Sequence, residues 1–351
     1  MNGIWTGRKT NYNVTIHKFF ILVVLALTSC ANLNDCFSEN VFCAALVTDT
    51  LGINDHGINQ DTWAGLEESK ANGVVDQIEY IESVDTRDYE KNIIYFAEKG
   101  YDVIITSGIG LLDETFRSAD LYPDSPEGAV PVFVGMNQPY EETRSNIISI
   151  TFAEDQMGFA AGALAARISE TRIVGAACET SGIDSMWRYC EGFRAGAQFV
   201  DEDIKVMVIY RDDGSSEKLF IDEAWGRETA QKLIQRGADV IFAAGGATAQ
   251  SALRAASEVE VDAIGTERDQ SVILGEEGSS VITSIYGNAS FEVQSLMQLI
   301  KDGNANEPRL SQIKYVPFDE KFPESFTKEM DTLLVSLWKR VVKTNVNNEK
   351  P

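Results

Sequence analysis

Two doubly wound α/β lobes, each with a parallel sheet and joined by a hinge, are the fold this sequence predicts. Three observations carry the prediction. Short β-branched runs alternate with stretches of helical period from residue 44 onward. Most of the runs are apolar at successive positions, which marks strands buried on both faces by crossover helices. The alternation stops and then restarts after Thr151, and a pattern begun twice implies two sheets.

In the first half the strand runs are Ala44–Asp49, Gln77–Glu82, Tyr101–Thr106 and Val130–Gly135. One intervening stretch carries Tyr89, Ile93, Phe96 and Ala97 on a single helical face and is closed by Gly100. In the second half the runs are Arg172–Ala177, Lys205–Tyr210, Asp239–Ala244, Val261–Thr266 and Ser280–Tyr286. A helix with Val293, Leu296, Met297 and Ile300 on one face follows, and a last one over about 323–343 presents Leu333, Leu337 and Val341. The expected division is a leader over 1–29 and a tether over 30–42. Lobe one takes 43–152 and 286–343, lobe two takes 153–285, and a frayed tail covers 344–351.

At the N-terminus, Arg8, Lys9 and Lys18 precede nine uninterrupted apolar residues, Phe19 to Leu27. That is too short for a bilayer, which needs roughly 20 residues, and it fits the core of an export signal. The run ends in Leu27-Thr28-Ser29-Cys30. This resembles a bacterial lipobox, in which the thiol of Cys30 receives a diacylglyceryl group; an ordinary secretory signal with an incidental cysteine is the competing reading. A lipid anchor on the extracytoplasmic face of the cell membrane is therefore expected, each buried CH₂ contributing about 0.8 kcal/mol. Losing Arg8, Lys9 and Lys18 would take the net charge from −24 to −27. So acidic a chain offers no clustered cations for phosphates, which excludes a nucleic-acid partner. Export permits disulfides. The spacings suggest Cys178 with Cys190 and Cys36 with Cys43, two other pairings staying open.

In open parallel sheets the ligand sits beyond the carboxyl ends of the strands, so the residues just after each run are the informative ones. After the first come Asp49, Asn54, Asp55, Ile58 and Asn59, and Asn59 reads equally as a cap for the next helix. After the third, Ser107-Gly108-Ile109-Gly110 leads to Asp113. Its GxG lacks the third glycine of a dinucleotide fingerprint and reads as a tight turn.

The order and spacing of these pieces resemble the basic membrane protein family, the nucleoside-binding lipoproteins of ABC importers. The resemblance rests on Gly52-Ile53-Asn54-Asp55 with Asn59 and Trp63-x-Gly65-Leu66, then Gly108 to Asp113 and Phe152-x-x-x-Gln156 to Gly162. It continues through Glu191-Gly192-Phe193-x-x-Gly196-Ala197, Phe220-x-Asp222 with Gly226, Gly245-Gly246-Ala247-Thr248, Glu267-Arg268-Asp269-Gln270 and Thr283-Ser284. It implies a type I periplasmic-binding-protein-like fold and a small-molecule ligand in the cleft. An ABC permease is the implied partner, with no cofactor or metal, and a monomer is expected. By position, Asp49 would read the edge of a base and Phe220 would stack on it. Asp113 and Glu267 would take the sugar hydroxyls, and Gly246 would let the backbone approach. Asn54, Asp55, Ile58, Asn59, Gly108, Asp222 and Asp269 complete the implied set. The sequence departs from the family pattern at three of these places. The second stacking ring falls on Ile58, the sugar-binding Asp is Glu267, and the lysine after the Thr-Ser pair falls on Gly287; Tyr286 and Trp187 are the aromatic alternatives.

An enzyme would have to build its chemistry on His56, the one histidine after Cys30. No Gly-x-Ser-x-Gly, HExxH, CxxC or P-loop pattern is present, so a nucleoside hydrolase is disfavoured. A lipid-anchored sensor that signals to a membrane kinase shares every feature of the receptor.

Overall fold

The computed structural model describes residues 1, 3, 35–123, 130–140, 142, 144–305, 307–320 and 322–351. The leader and Cys30 lie outside the described residues. Among those residues no helix is long and apolar enough to cross a membrane.

Lobe one is built on β1 (Cys43–Thr48), β2 (Gln77–Glu82), β3 (Val103–Ser107), β4 (Val132–Met136), β5 (Ile147–Thr151) and β11 (Arg309–Leu310). They form one parallel sheet in the order β11-β5-β4-β3-β1-β2. Its helices are α1 (Ile58–Ala71), α2 (Tyr89–Glu98), α3 (Leu112–Leu121) and α9 (Ala289–Lys301). A core lies on each face. Leu46, Ile105 and Val134 meet Leu66 and Val293 on one side, while Val47, Ile104 and Phe133 meet Ile93 and Phe96 on the other. β1 is buried over its whole length, as expected for a central strand with apolar residues at every position.

Lobe two repeats the plan. It contains α4 (Glu154–Ile168), β6 (Ile173–Cys178), α5 (Asp184–Val200), β7 (Lys205–Tyr210), α6 (Glu223–Gln235) and β8 (Val240–Ala244). Then follow α7 (Gly246–Ser257), β9 (Asp262–Thr266), α8 (Gln270–Leu274), β10 (Val281–Gly287) and β12 (Ile313–Tyr315). The sheet order is β12-β10-β9-β8-β6-β7, parallel except for β12. Helices α4 and α5 pack backbone to backbone through paired glycines. A Cβ at Gly158, Gly162, Gly192 or Gly196 would overlap a carbonyl oxygen of the opposite helix. Disulfides join Cys36 to Cys43 and Cys178 to Cys190.

The structure corrects the division of the chain. Residues 289–310 belong to lobe one, but β12 and the last helix, α10 (Glu324–Trp338), lie on lobe two and not on lobe one as expected. The reason is apolar: Met330 and Leu337 bury themselves in the core around Met157 and Leu164, and Arg167 pairs with Glu329 at 3.2 Å. The chain therefore crosses between lobes three times, the third between Leu310 and Ile313. The crossings are laced together at Ser311, whose N–H donates to Thr151 O (2.9 Å) and whose Oγ accepts from Asn288 N (3.2 Å). Nor is the tail frayed. Thr344 donates to Asp155 Oδ2 (2.6 Å), Arg188 donates to Asn348 O (3.2 Å), and Lys350 reaches Ser181 and Asp212.

Candidate functional site

The carboxyl ends of both sheets open on one cavity between the lobes. On the lobe-one side the loop after β1 is held by its own side chains. Asp49 Oδ1 accepts from Leu51 N (3.1 Å) and from Asn59 Nδ2 (2.9 Å), and Asn59 Nδ2 also donates to Gly52 O (3.0 Å). Asn59 thus braces the loop, and Asp55 serves the start of α1 instead. Its carboxylate accepts from the N–H groups of Gly57 (2.9 Å), Asn59 (3.0 Å) and Gln60 (3.0 Å), where the helix dipole favours negative charge. Gly108, at φ 116°, leaves room for Asp49, whose Oδ2 a Cβ there would overlap. Burial raises Asp49 from the usual 3.8 to about 6, and Asp55 is raised by the same cause.

The lobe-two side is shaped by backbone conformation. Phe220 (φ 65°), Gly245 (φ 120°), Gly246 (φ 54°) and Glu267 (φ 67°) all sit in the left-handed region, which costs a residue with a Cβ about 1–2 kcal/mol. Gly246 passes so close to Phe220 that a Cβ there would stand 2.8 Å from its carbonyl oxygen. Gly246 N in turn donates to Glu267 Oε2 (3.1 Å). Burial pushes Glu267 from 4.5 up to about 7, with Asp55 and Glu179 adding like-charge repulsion.

Of the residues singled out in the sequence, Asp49, Asp55, Ile58, Asn59, Gly108, Phe220, Gly246 and Glu267 line this cavity. Four do not. Asn54 and Asp113 are exposed. Asp222 caps α6 by accepting from Trp225 N (3.3 Å) and lies 3.6 Å from Arg211. Asp269 caps α8, accepting from the N–H groups of Ser271 and Val272. Neither aromatic alternative reaches the cavity: Trp187 stacks on Tyr210 at 5.9 Å, and Tyr286 is half-buried on β10 away from the lining.

The hinge and α5 supply what the strand ends did not indicate. Phe152 follows β5 at the first crossing, and its ring occupies the space that a Cβ on Gly287 would need. Met186 and Tyr189 project from α5, and Asn137 and Glu154 complete the hinge side. Glu154 is buried and paired with Arg188 Nη2 at 2.9 Å. The helical face Met186, Tyr189, Cys190, Phe193 was visible in the sequence as an i, i+3, i+4, i+7 series, and it places Tyr189 inward. The position of Phe152 had no such signal. Among the described residues no group of His, Cys, Asp and Glu is arranged to hold a metal ion.

The arrangement is that of a binding cleft: apolar and aromatic surfaces from both lobes with a few buried acceptors between them. Solved structures share the fold. A solute-binding protein of an ABC transporter system from Aeropyrum pernix K1 superposes with a TM-score of 0.72 at 15% identity, covering 86% of this chain and 92% of that one. Another, from Conexibacter woesei, gives 0.69 at 20% identity, covering 86% and 98%. In sequence, the chain is 28% identical over 281 residues to the ABC transporter nucleoside-binding protein BmpA of Lactococcus lactis, covering 74% of this chain and 75% of the relative. It is 27% identical over 260 residues to basic membrane protein D of Borreliella burgdorferi, covering 73% and 71%. The Bmp family profile, described as ABC transporter substrate-binding protein PnrA-like, matches residues 42–313. The chain belongs to the Bmp family of ABC transporter substrate-binding proteins.

Proposed function

We propose that this protein is the lipid-anchored receptor of an ABC importer, that its ligand is a nucleoside or related heterocycle, and that the cavity between the lobes is where it binds. The observation that carries the reading is the cavity itself. Flat apolar surfaces from Phe220 and Tyr189 on lobe two and Phe152 at the hinge accompany buried carboxylates that accept from N–H and O–H groups. A heterocycle offers a face for the first and donors for the second, aromatic contact adding roughly 0.5–1.5 kcal/mol beyond area burial. Asp49, Asp55, Ile58, Asn59, Gly108, Phe220, Gly246 and Glu267 are assigned to the ligand. The relative from Lactococcus lactis is named as nucleoside-binding, which supports the same class.

Cys30 carries the anchor in this reading, on the extracytoplasmic face, and the monomeric receptor delivers its ligand to a permease. Binding and release, not bond-making, is the task. Titration calorimetry against a panel of nucleosides, bases, sugars and amino acids tests it. Heat with nucleosides or bases is expected, and binding confined to sugars or amino acids would refute the ligand class.

A further inference from the structure

Five carboxylates line the cavity, those of Asp49, Asp55, Asp61, Glu154 and Glu267, and among the described residues no Lys or Arg does. Three of the five are compensated. Asp55 accepts from three backbone N–H groups. Asp61 accepts from Ser290 N (3.0 Å) and lies 3.9 Å from Arg268 Nε. Glu154 has Arg188, with the Asn137 amide nearby. Asp49 and Glu267 have no cation within ion-pair reach among the described residues. Asp55 lies close enough to both to raise them, and Glu179 adds to Glu267.

A second observation is independent of the charge count. Asn59 is 1% exposed, and both bonds of its Nδ2, to Asp49 and to Gly52 O, fix the orientation of its amide. Its Oδ1 is left buried on the cavity wall without a partner, as is Oε1 of Glu154, also 1% exposed. A buried acceptor without a donor costs about 1–3 kcal/mol, so the site is short of donors and of positive charge together.

We propose, building on the nucleoside reading, that the cavity selects a positively charged heterocycle, with the charge held by Asp49 of lobe one and Glu267 of lobe two. A neutral base supplies donors but leaves Asp49 and Glu267 buried without a cation and each beside Asp55. A cation removes that repulsion and draws the lobes together, since its carboxylate partners stand on both. The raised values of Asp49, about 6, and Glu267, about 7, have a consequence for binding. A cation favours their ionised forms, so they give up protons as it enters.

Two methylated adenosines of the same size differ in charge. 1-Methyladenosine is protonated and positive near neutral pH, whereas N6-methyladenosine carries its methyl on the exocyclic nitrogen and is neutral. Calorimetry on the purified protein should show the cationic nucleoside binding at least about tenfold tighter, the order expected for one added charge interaction in a partly buried site. Repeating the titration in buffers of different ionisation heat should show proton release. Glu267→Gln should cut the ratio between the two by about threefold or more, with melting curves confirming that the variant folds. Equal or tighter binding of the neutral nucleoside would overturn the charge selection and leave the nucleoside receptor standing. Binding of a sugar or an amino acid, with no nucleoside of either charge bound, would overturn the nucleoside reading and this inference with it.

Discussion

The two walls of the cleft solve the same problem by different means. On lobe one the loop after β1 also turns through positive φ, at Gly52 and His56, but it is pinned by side chains: Asn59 donates to Asp49, Asp55 accepts from Asn59 N, and Gly108 leaves room for Asp49. On lobe two few side-chain bonds hold the lining; the turns after β8 and β9 and the loop before α6 place Phe220, Gly246 and Glu267 by positive φ. A wall fixed by hydrogen bonds loses its shape when one polar group is removed. A wall fixed by backbone strain carries a standing cost in the ligand-free protein, which strain at functional positions makes familiar.

The contrast can be broken by mutation. The largest effect is expected on lobe one. Gly108→Val adds a branched side chain at φ 116° where even a Cβ overlaps Asp49, and it should cost about 3 kcal/mol of stability and abolish binding, measured by denaturant titration and calorimetry. On lobe two Phe220→Ala should weaken ligand binding by over 2 kcal/mol, about thirtyfold. Phe220→Gly should bind as poorly yet be about 1 kcal/mol more stable than the alanine variant, because glycine relieves the left-handed strain. If the alanine variant is the more stable, strain is not what shapes this wall.

Acidity offers a third test, with a defined sign. Asp49 and Glu267 bind protons more tightly folded than unfolded, so ionising them works against the folded state. Their contribution is present at low pH and is lost as pH rises from their usual 3.8 and 4.5 through about 6 and about 7. The ligand-free protein should therefore lose up to about 3 kcal/mol for each of the two groups across that window, seen as a falling melting temperature, and Glu267→Gln should flatten the slope. The smallest effect is on affinity. Ile58 lines the lobe-one wall, and Ile58→Phe should tighten heterocycle binding by about 0.5–1.5 kcal/mol if that wall lacks only an aromatic face.

The strand-end rule pointed to the loops that hold Asp49 and Gly108, and the family resemblance, not the rule, pointed to Phe220, Gly246 and Glu267; the pattern of apolar runs located the strands to within a few residues. The four residues that miss the cavity, Asn54, Asp113, Asp222 and Asp269, are polar residues in the same loops, and two of them cap helices. Capping and ligand binding use the same residue types, so sequence alone does not separate them. The rest of the site comes from places the rule does not cover. Phe152 and Gly287 sit at chain crossings, where the position of a ring depends on three segments meeting, and β5, immediately before the first crossing, was hidden by it. The terminal helix misled for a related reason: its apolar face was plain, but an apolar face does not name the lobe that buries it.

The bond between Cys36 and Cys43 also matters for how force travels through the molecule. Cys43 is the first residue of β1, the strand that lies inside the lobe-one sheet between β2 and β3. A pull on the chain ahead of Cys36 is passed through the covalent bridge to Cys43, bypassing the six residues between them. It then loads β1 along its length, in shear against two neighbours paired to it at nearly every residue. Shear must break many backbone hydrogen bonds together, whereas peeling an edge strand breaks them one at a time. The segment that would connect to an anchor is thus tied to a strand paired on both edges, and Asp49 stands just past its far end.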